Sequence, residues 1–160
     1  MADPAPSQVE AILRPASLHD APRIHKLISD YATRQVLLSR GLGELYENIR
    51  DFAILEEGEL LVGCAALHIY NAQLSELKSL AVSPERQRRG YGRRLVEWCL
   101  AEARRVGLAR IFCLTYQVEF FQALGFVRVD RSRLPEKVWG ECVRCSKFFD
   151  CDEVALWREV

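Results

Sequence analysis

The chain has 160 residues, 49% hydrophobic and 28% charged, with 22 basic and 22 acidic side chains. That length fits one domain with a real core, and the zero formal net charge gives no overall field to attract nucleic acid or an anionic membrane. The longest apolar run, Leu60 to Leu67, falls far short of the roughly 20 residues that cross a bilayer, and the polar stretch 1–10 lacks a signal- or transit-peptide pattern, so a soluble, cytoplasmic protein is expected.

Residues 1–10 read as a disordered tail and 11–160 as one domain. Ala11 to Pro15 reads as a strand. Ser17 and Asp20 form a capping-box pattern with Asp in place of the usual Glu. The helix they open carries Ile24, Leu27, Ile28 and Tyr31 at helical spacing. Gly41 and Gly43 break the chain before a short helix with Leu45, Tyr46 and Ile49. Phe52 to Leu55 and Leu60 to Tyr70 predict a hairpin turned at Glu57-Gly58-Glu59. Asn71-Ala72 marks the next turn, and Leu74 to Val82 is a third strand ended by Pro84.

From Gly90 a long helix runs to Val106, burying Leu95, Trp98, Cys99 and Ala103, and Gly107 stops it. Arg110 to Thr115 is a strand, Glu119 to Leu124 a short helix ended by Gly125, and Phe126 to Val129 a strand. Residues 132–150 read as irregular, with Val154 to Trp157 a final strand. This order gives a mixed α/β fold.

Cys64, Cys99 and Cys113 lie in apolar periodic segments, where cysteine acts as a small hydrophobe, and thiols rather than disulfides are expected in the cytoplasm. Cys142, Cys145 and Cys151 leave two readings open. They are three ligands of a structural zinc, completed by Asp152 or a histidine, or three reduced thiols in a loop-rich tail.

The segment Leu80-Ala81-Val82-Ser83-Pro84-Glu85-Arg86-Gln87-Arg88-Arg89-Gly90-Tyr91-Gly92 carries the chemistry. A strand ends, a loop turns, and glycines open a long helix. Glycines let backbone approach a ligand closely, and a helix N-terminus aims free N–H groups and a positive dipole at it. Arg86, Arg88, Arg89, Arg93 and Arg94 surround the same spot, so the segment reads as a pyrophosphate cradle. It lacks the Gly-Lys-Ser/Thr ending of a P-loop, and a G-x-G-x-x-G reading fails at Leu95. The competing reading, a solvated arginine turn, explains the charges but not the two glycines.

Gln87-Arg88-Arg89-Gly90-Tyr91-Gly92 resembles the Gln/Arg-x-x-Gly-x-Gly/Ala signature of the GNAT superfamily of N-acetyltransferases. The strand Glu76 to Val82 and the stretch Phe120-Phe121-Gln122-Ala123-Leu124-Gly125-Phe126 fit that family too. The resemblance implies a mixed, mostly antiparallel central sheet flanked by helices, with acetyl-CoA as cosubstrate. It places the coenzyme on the backbone of Leu80, Ala81 and Val82 and on the loop Gln87, Arg88, Arg89, Gly90, Tyr91, Gly92 and Arg93.

A narrower likeness, from Glu76 to Val82, Ile111 to Thr115, Phe120 to Phe126 and Leu134 to Trp139, is to the acetyltransferase domain of N-acetylglutamate synthases in their short stand-alone form. Leu37-Leu38-Ser39-Arg40 and Tyr46 to Phe52 add to it. It implies L-glutamate as acceptor in arginine biosynthesis. There is no room for the kinase-like domain of longer synthases, so arginine feedback through it is not implied. A homodimer is compatible with this reading.

Acetyl transfer needs a neutral amine, hence a base. Glu76 matches the family's base position; the alternative is an ion pair with Lys78 on the same strand face. The resemblance also implies an oxyanion donor from a backbone N–H near Val82. Where many members carry a tyrosine as acid, this chain has Phe121, leaving Tyr116, solvent or the product ammonium. Two substrate carboxylates call for cations: Arg40 and Lys78, with Thr115 as a further contact and Arg133 and Arg144 behind them. Two other readings remain open: a different amine acceptor, or a non-catalytic acyl-CoA-binding regulatory domain.

Overall fold

The computed structural model describes residues 9–32, 40–134, 137, 140, 142–145 and 151–160. Residues 1–8 of the expected tail, and Leu37, Leu38, Ser39, Pro135, Glu136, Val138 and Trp139, lie outside these.

Seven strands form one sheet: β1 (Ala11–Pro15), β2 (Phe52–Glu57), β3 (Leu60–Asn71), β4 (Leu74–Val82), β5 (Arg110–Thr115), β6 (Val127–Arg128) and β7 (Val154–Glu159). Their order is β1-β2-β3-β4-β5-β7-β6. Every neighbouring pair is antiparallel except β4 with β5, which is parallel. The helices are α1 (Ala21–Ala32), α2 (Leu42–Glu47), α3 (Tyr91–Val106) and α4 (Val118–Ala123). The fold is therefore the expected mixed, mostly antiparallel α/β sheet. No helix among the described residues is long and apolar enough to cross a membrane.

Side chains alternate across the sheet with period two, and each face has its own core. Ile54, Cys64 and Ala66 pack with Ile24, Leu27, Ile28 and Leu45 of α1 and α2. Leu55, Val62, Ala65 and Leu67 pack with Leu95, Val96, Cys99 and Ala103 of α3. The run Leu61 to Leu67 is apolar throughout because β3 is covered on both faces. Gly63 is fixed by close approach: a Cβ there would stand 3.1 Å from Leu95 and 3.2 Å from the Ala81 carbonyl oxygen. Cys64, Cys99 and Cys113 are buried as expected, and burial pushes the Cys64 thiol up to about 12.

One irregularity matters for the site. Cys64 pairs with Ala81 and Ala66 with Lys78, so Ser79 and Leu80 together oppose Ala65. Ser79 adopts φ +56° to make this bulge. The bulge reverses the alternation: Leu77 and Leu80 face α3, whereas Ala81 faces α1.

Two expected strand boundaries shift. The strand at Phe126 to Val129 shortens to Val127–Arg128, paired only with β7, and Phe126 is core instead. The last strand extends to Glu159, matching the full length of β5.

The entry to α1 rests on one buried carboxylate. Asp20 accepts hydrogen bonds from the Ser17 backbone N–H (2.8 Å) and hydroxyl (3.1 Å), so the predicted capping pattern forms. Arg14 (2.8 and 3.0 Å) and Arg23 (2.9 Å) also bond to it. Burial alone would push this carboxyl up, but the bonds from Arg14 and Ser17 outweigh it and hold Asp20 well below the usual carboxylate range. A lowered folded-state value gives stability that is full above the unfolded value and lost as pH falls toward the folded one. Asp20→Asn is expected to cost about 3 kcal/mol at neutral pH, with the gap from wild type narrowing below about pH 4. Urea titrations across that range check this; a gap independent of pH would refute the account.

Candidate active site

β4 and β5 pair only at Ser75 with Ile111 and Glu76 with Phe112. Beyond Glu76 the two parallel strands separate, β4 running on to Val82 and β5 to Thr115. The second half of β4 thus has one edge bonded to β3 and the other facing a cleft. The Ser83 N–H bonds to the Val62 carbonyl (2.8 Å), and the next pair, Gly63 with Val82, falls in the non-hydrogen-bonded position. Antiparallel geometry therefore turns the N–H and C=O of Val82 toward the cleft. The carbonyl accepts a hydrogen bond from the Tyr31 hydroxyl, which itself accepts from Gln87 Nε2 (3.0 Å).

At the cleft's end the loop turns into α3. Arg88 and Gly90 have positive φ, +63° and +78°, an alternation that directs successive amides to one side. The first bond into the helix runs from the Arg94 N–H to the Gly90 carbonyl (3.1 Å), so the amides of Tyr91, Gly92 and Arg93 precede the helical ladder and point out of its N-terminus. Gly92 keeps α4 close: a Cβ there would lie 3.3 Å from the Phe120 ring.

The arginines are distributed differently from a simple cationic ring. Arg86 Nε donates to Glu57 (2.7 Å), the Tyr91 hydroxyl donates to the same carboxylate (2.6 Å), and Arg89 lies 3.6 Å from it. These hydrogen bonds lower the Glu57 carboxyl below its ordinary value and raise the Tyr91 phenol. Arg93 pairs with Glu97 (2.8 Å), and Arg94 donates to the Ala11 carbonyl (3.0 Å). Four of the five arginines near the loop are thus held by protein partners, and Glu57 pins the loop to β2.

Glu76 sits at the fork, 3% exposed. The Tyr70 hydroxyl donates to its Oε2 (2.8 Å), and the Lys137 ammonium lies 3.1 Å from its Oε1. Lys137 is itself buried and arrives from the segment after Leu134. Neither partner carried a role in the sequence reading. Tyr70 had a readable signal, since it follows His68 at period two on a strand facing Glu76; Lys137 had none, because only tertiary folding brings it there.

The other expected positions are spread out. Lys78 is half-buried on β4, and Arg40 is buried and 3.0 Å from Glu44. The Thr115 hydroxyl oxygen accepts the Gln117 N–H (2.8 Å), capping the turn into α4. Tyr116 lies just past the end of β5, 40% exposed. Phe121 is core, edge-to-face with Phe120 and Phe126. The Arg133 guanidinium lies 5.1 Å from the Trp157 ring centroid and that of Arg110 3.8 Å from it, and Arg144 is exposed.

Of the two readings left open for Cys142, Cys145 and Cys151, zinc ligation gains no support from the described residues. Among the described residues no group of three or more His, Cys, Asp or Glu side chains converges to hold a metal ion. Cys151 Sγ accepts a hydrogen bond from the Arg131 guanidinium (2.9 Å).

Comparison with known proteins agrees with this geometry. The sequence profile of the Acetyltransferase (GNAT) family matches residues 19–126. An uncharacterized N-acetyltransferase of Chlorobaculum tepidum is 34% identical over 147 residues, 92% of this chain and 95% of that one. The amino-acid acetyltransferase of Mycobacterium tuberculosis is 34% identical over 142 residues, covering 87% and 81% respectively. Among solved structures, N-acetylglutamate synthase of Neisseria gonorrhoeae, complexed with coenzyme A and N-acetyl-glutamate, superposes with a TM-score of 0.84 at 33% identity; the match takes in 94% of this chain but 35% of that longer one. With the family's pattern running from α1 through Phe126 over a forked sheet and an amide-lined helix start, the chain belongs to the GNAT family of acetyltransferases.

Proposed function

We propose that this chain moves the acetyl group of acetyl-CoA directly onto the α-amine of L-glutamate in a ternary complex, the opening step of arginine biosynthesis in the cytoplasm. The observation that carries the reading is the place of Glu76, the last paired residue before β4 and β5 separate. A buried carboxylate there adjoins a backbone edge on one side and partners that can face an amino acid on the other. The acceptor identity draws on the Neisseria gonorrhoeae synthase and its bound N-acetyl-glutamate.

Each part of the site has a task in this reaction. The amides at the start of α3 hold the coenzyme's pyrophosphate, with the dipole of a 16-residue helix behind them. The free edge of β4 pairs with the pantetheine arm, which lays the thioester along Leu80 to Val82. The Val82 N–H, turned into the cleft, donates to the carbonyl oxygen as negative charge develops on it. Glu76 takes a proton from the acceptor ammonium, leaving the lone pair that attacks the thioester carbon. Lys137 balances the Glu76 charge, and with Arg40 and Lys78 it supplies cations for the acceptor's two carboxylates.

Three measurements test the proposal. Glu76→Gln keeps the shape and hydrogen bonding of the site but not the base; turnover is expected to fall at least ~100-fold while calorimetry shows unchanged affinity for coenzyme A. Gly90→Val forces a branched side chain into the left-handed region at about 1–2 kcal/mol, so coenzyme affinity is expected to drop roughly tenfold with far-UV circular dichroism intact. Thiol release from acetyl-CoA over a panel of amines is expected to be fastest with glutamate. Equal release with glycine or spermidine would rule glutamate out as the acceptor while keeping the acetyltransferase.

A further inference from the structure

Cys64, Cys99 and Cys113 are buried in the core, and burial pushes the Cys64 thiol up to about 12, so these three act as inert small hydrophobes. Cys142, Cys145 and Cys151 differ: all three are partly exposed, on the stretch between Lys137 and β7. We propose that Cys142 and Cys145 are a site of reversible covalent modification, a dithiol that a small-molecule disulfide closes into a disulfide, and that closing it weakens binding of the acceptor. The second half of the inference rests on the glutamate acetyltransferase reading; the first half does not.

The turn that holds the pair sets its geometry. Cys142–Arg144 is one 3-10 turn, closed by a hydrogen bond from the Cys145 N–H to the Cys142 carbonyl (3.1 Å). Such a bond brings the two Cα atoms within about 7 Å, and side chains at i and i+3 of a 3-10 turn lie one above the other. A disulfide spans Cα atoms about 4.4–6.8 Å apart, so the pair can close with its turn already formed. A merely space-filling pair would need neither partial exposure nor a shared turn. Cys151 has a different partner: its Sγ accepts from the Arg131 guanidinium (2.9 Å), which also donates to the Glu153 carbonyl (2.8 Å) and so tethers it at the entry to β7. The turn also borders the proposed site. Burial raises the Cys142 thiol above its ordinary value, the positive charges of Lys137 and Arg131 act against that rise, and the Glu76 carboxylate adds to it. The Cys142 sulfur therefore shares the neighbourhood of the Glu76–Lys137 contact (3.1 Å), and Lys137 precedes it by only five positions.

Electrons and protons balance with a small disulfide as oxidant. The Cys145 thiolate attacks one sulfur of that disulfide, whose S–S bond breaks and releases one thiolate. The Cys142 thiolate then attacks the Cys145 sulfur of the mixed disulfide and expels the second thiolate, forming the Cys142–Cys145 bond. Burial disfavours the charged form of Cys142, which suits it to this second step. Two protein thiols are oxidised by two electrons, one small disulfide is reduced to two thiols, and the two protein protons end on them. A reducing pool of thiols reverses each step, so the dithiol is the resting form in a reducing compartment.

The test treats the full chain with oxidised glutathione, with and without later dithiothreitol. Closure is expected to remove two hydrogens by intact-mass spectrometry. Trypsin cuts after Arg144, between the two cysteines, so their peptides are expected to separate from the reduced protein and stay joined from the oxidised one. KM for glutamate is expected to rise about threefold on oxidation, with calorimetric affinity for coenzyme A unchanged, and dithiothreitol is expected to reverse both the bond and the KM. Cys142→Ser and Cys145→Ser, each checked for folding by circular dichroism, are expected to abolish the internal bond and the KM response, whereas Cys151→Ser keeps both. Failure of the two peptides to join, pairing through Cys151 instead, or stoichiometric zinc on these sulfurs in the purified protein would overturn the site. A joined pair with unchanged KM would overturn its coupling to the acceptor while leaving the modification site. A chain that closes the pair yet acetylates no amine would sink the glutamate reading, and the coupling with it, and leave the site standing.

Discussion

The loss of pairing between β4 and β5 after Glu76 sets the rest of the site. Parallel strands in an α/β sheet open their crevice at their carboxyl ends, and here the crevice begins after only two paired positions. Three consequences follow from that divergence. Main-chain groups of β4 are left facing outward in a place where water or a ligand must satisfy them. The start of α3 lands at the end of the same opening, because only a short loop separates Val82 from Gly90. And the residue at the fork is placed beside whatever lies along the free edge. The bulge at Ser79 and Leu80 completes the arrangement, since it lets Leu77 and Leu80 both pack on α3 while Glu76 faces the other layer with His68 and Tyr70.

Burying Glu76 against Lys137 is a costly way to hold a sheet together. A desolvated ion pair is often no more stabilising than apolar residues of the same size, and the surrounding cluster of Leu74, Phe112, Leu134 and Ala155 shows that apolar residues were the local alternative. The pair makes sense where charge is needed for binding and proton transfer. The Arg14–Asp20–Arg23–Glu56 network at the other end of the sheet is the contrast. There Asp20 and Glu56 each answer both arginines, and Asp20 also caps a helix start, which is a structural use of charge.

Much of this was readable in the sequence. β4 was delimited by Asn71 and Pro84, and its residues, like those of β1 and β5, alternate or run apolar between strong breakers. The strand end, turn and helix start of the proposed coenzyme loop were legible because they are contiguous. What escaped depends on distant contacts. Nothing in Val154–Glu159 says that it inserts between β5 and β6, and that placement is what reduces β6 to two residues at the sheet edge. Of the five arginines that the sequence puts near the loop, four are held by Glu57, Glu97 and the Ala11 carbonyl, far away in the chain or on the next helical turn, which local sequence does not reveal. The cysteine spacing was local as well, but convergence of ligands is a tertiary property, and the partner that Cys151 meets, Arg131, lies 20 residues away in the chain.

The phenylalanine at 121 fits the proposed chemistry once the protons are followed. Its ring is 3% exposed in a row with Phe120 and Phe126, and a hydroxyl there would have to find a partner inside that aromatic layer. An external acid is not required by the stoichiometry. The attacking nitrogen still carries a surplus proton after bonding to the thioester carbon, and the departing sulfur needs one, so transfer between them completes both products. Thiols titrate near pH 8.5, close enough to neutrality for water to serve when that transfer is indirect. What the reaction leaves over is the single proton stripped from the acceptor ammonium at the start. In the proposed reaction the net demand on the protein therefore falls on Glu76, held at the fork by Tyr70 and Lys137.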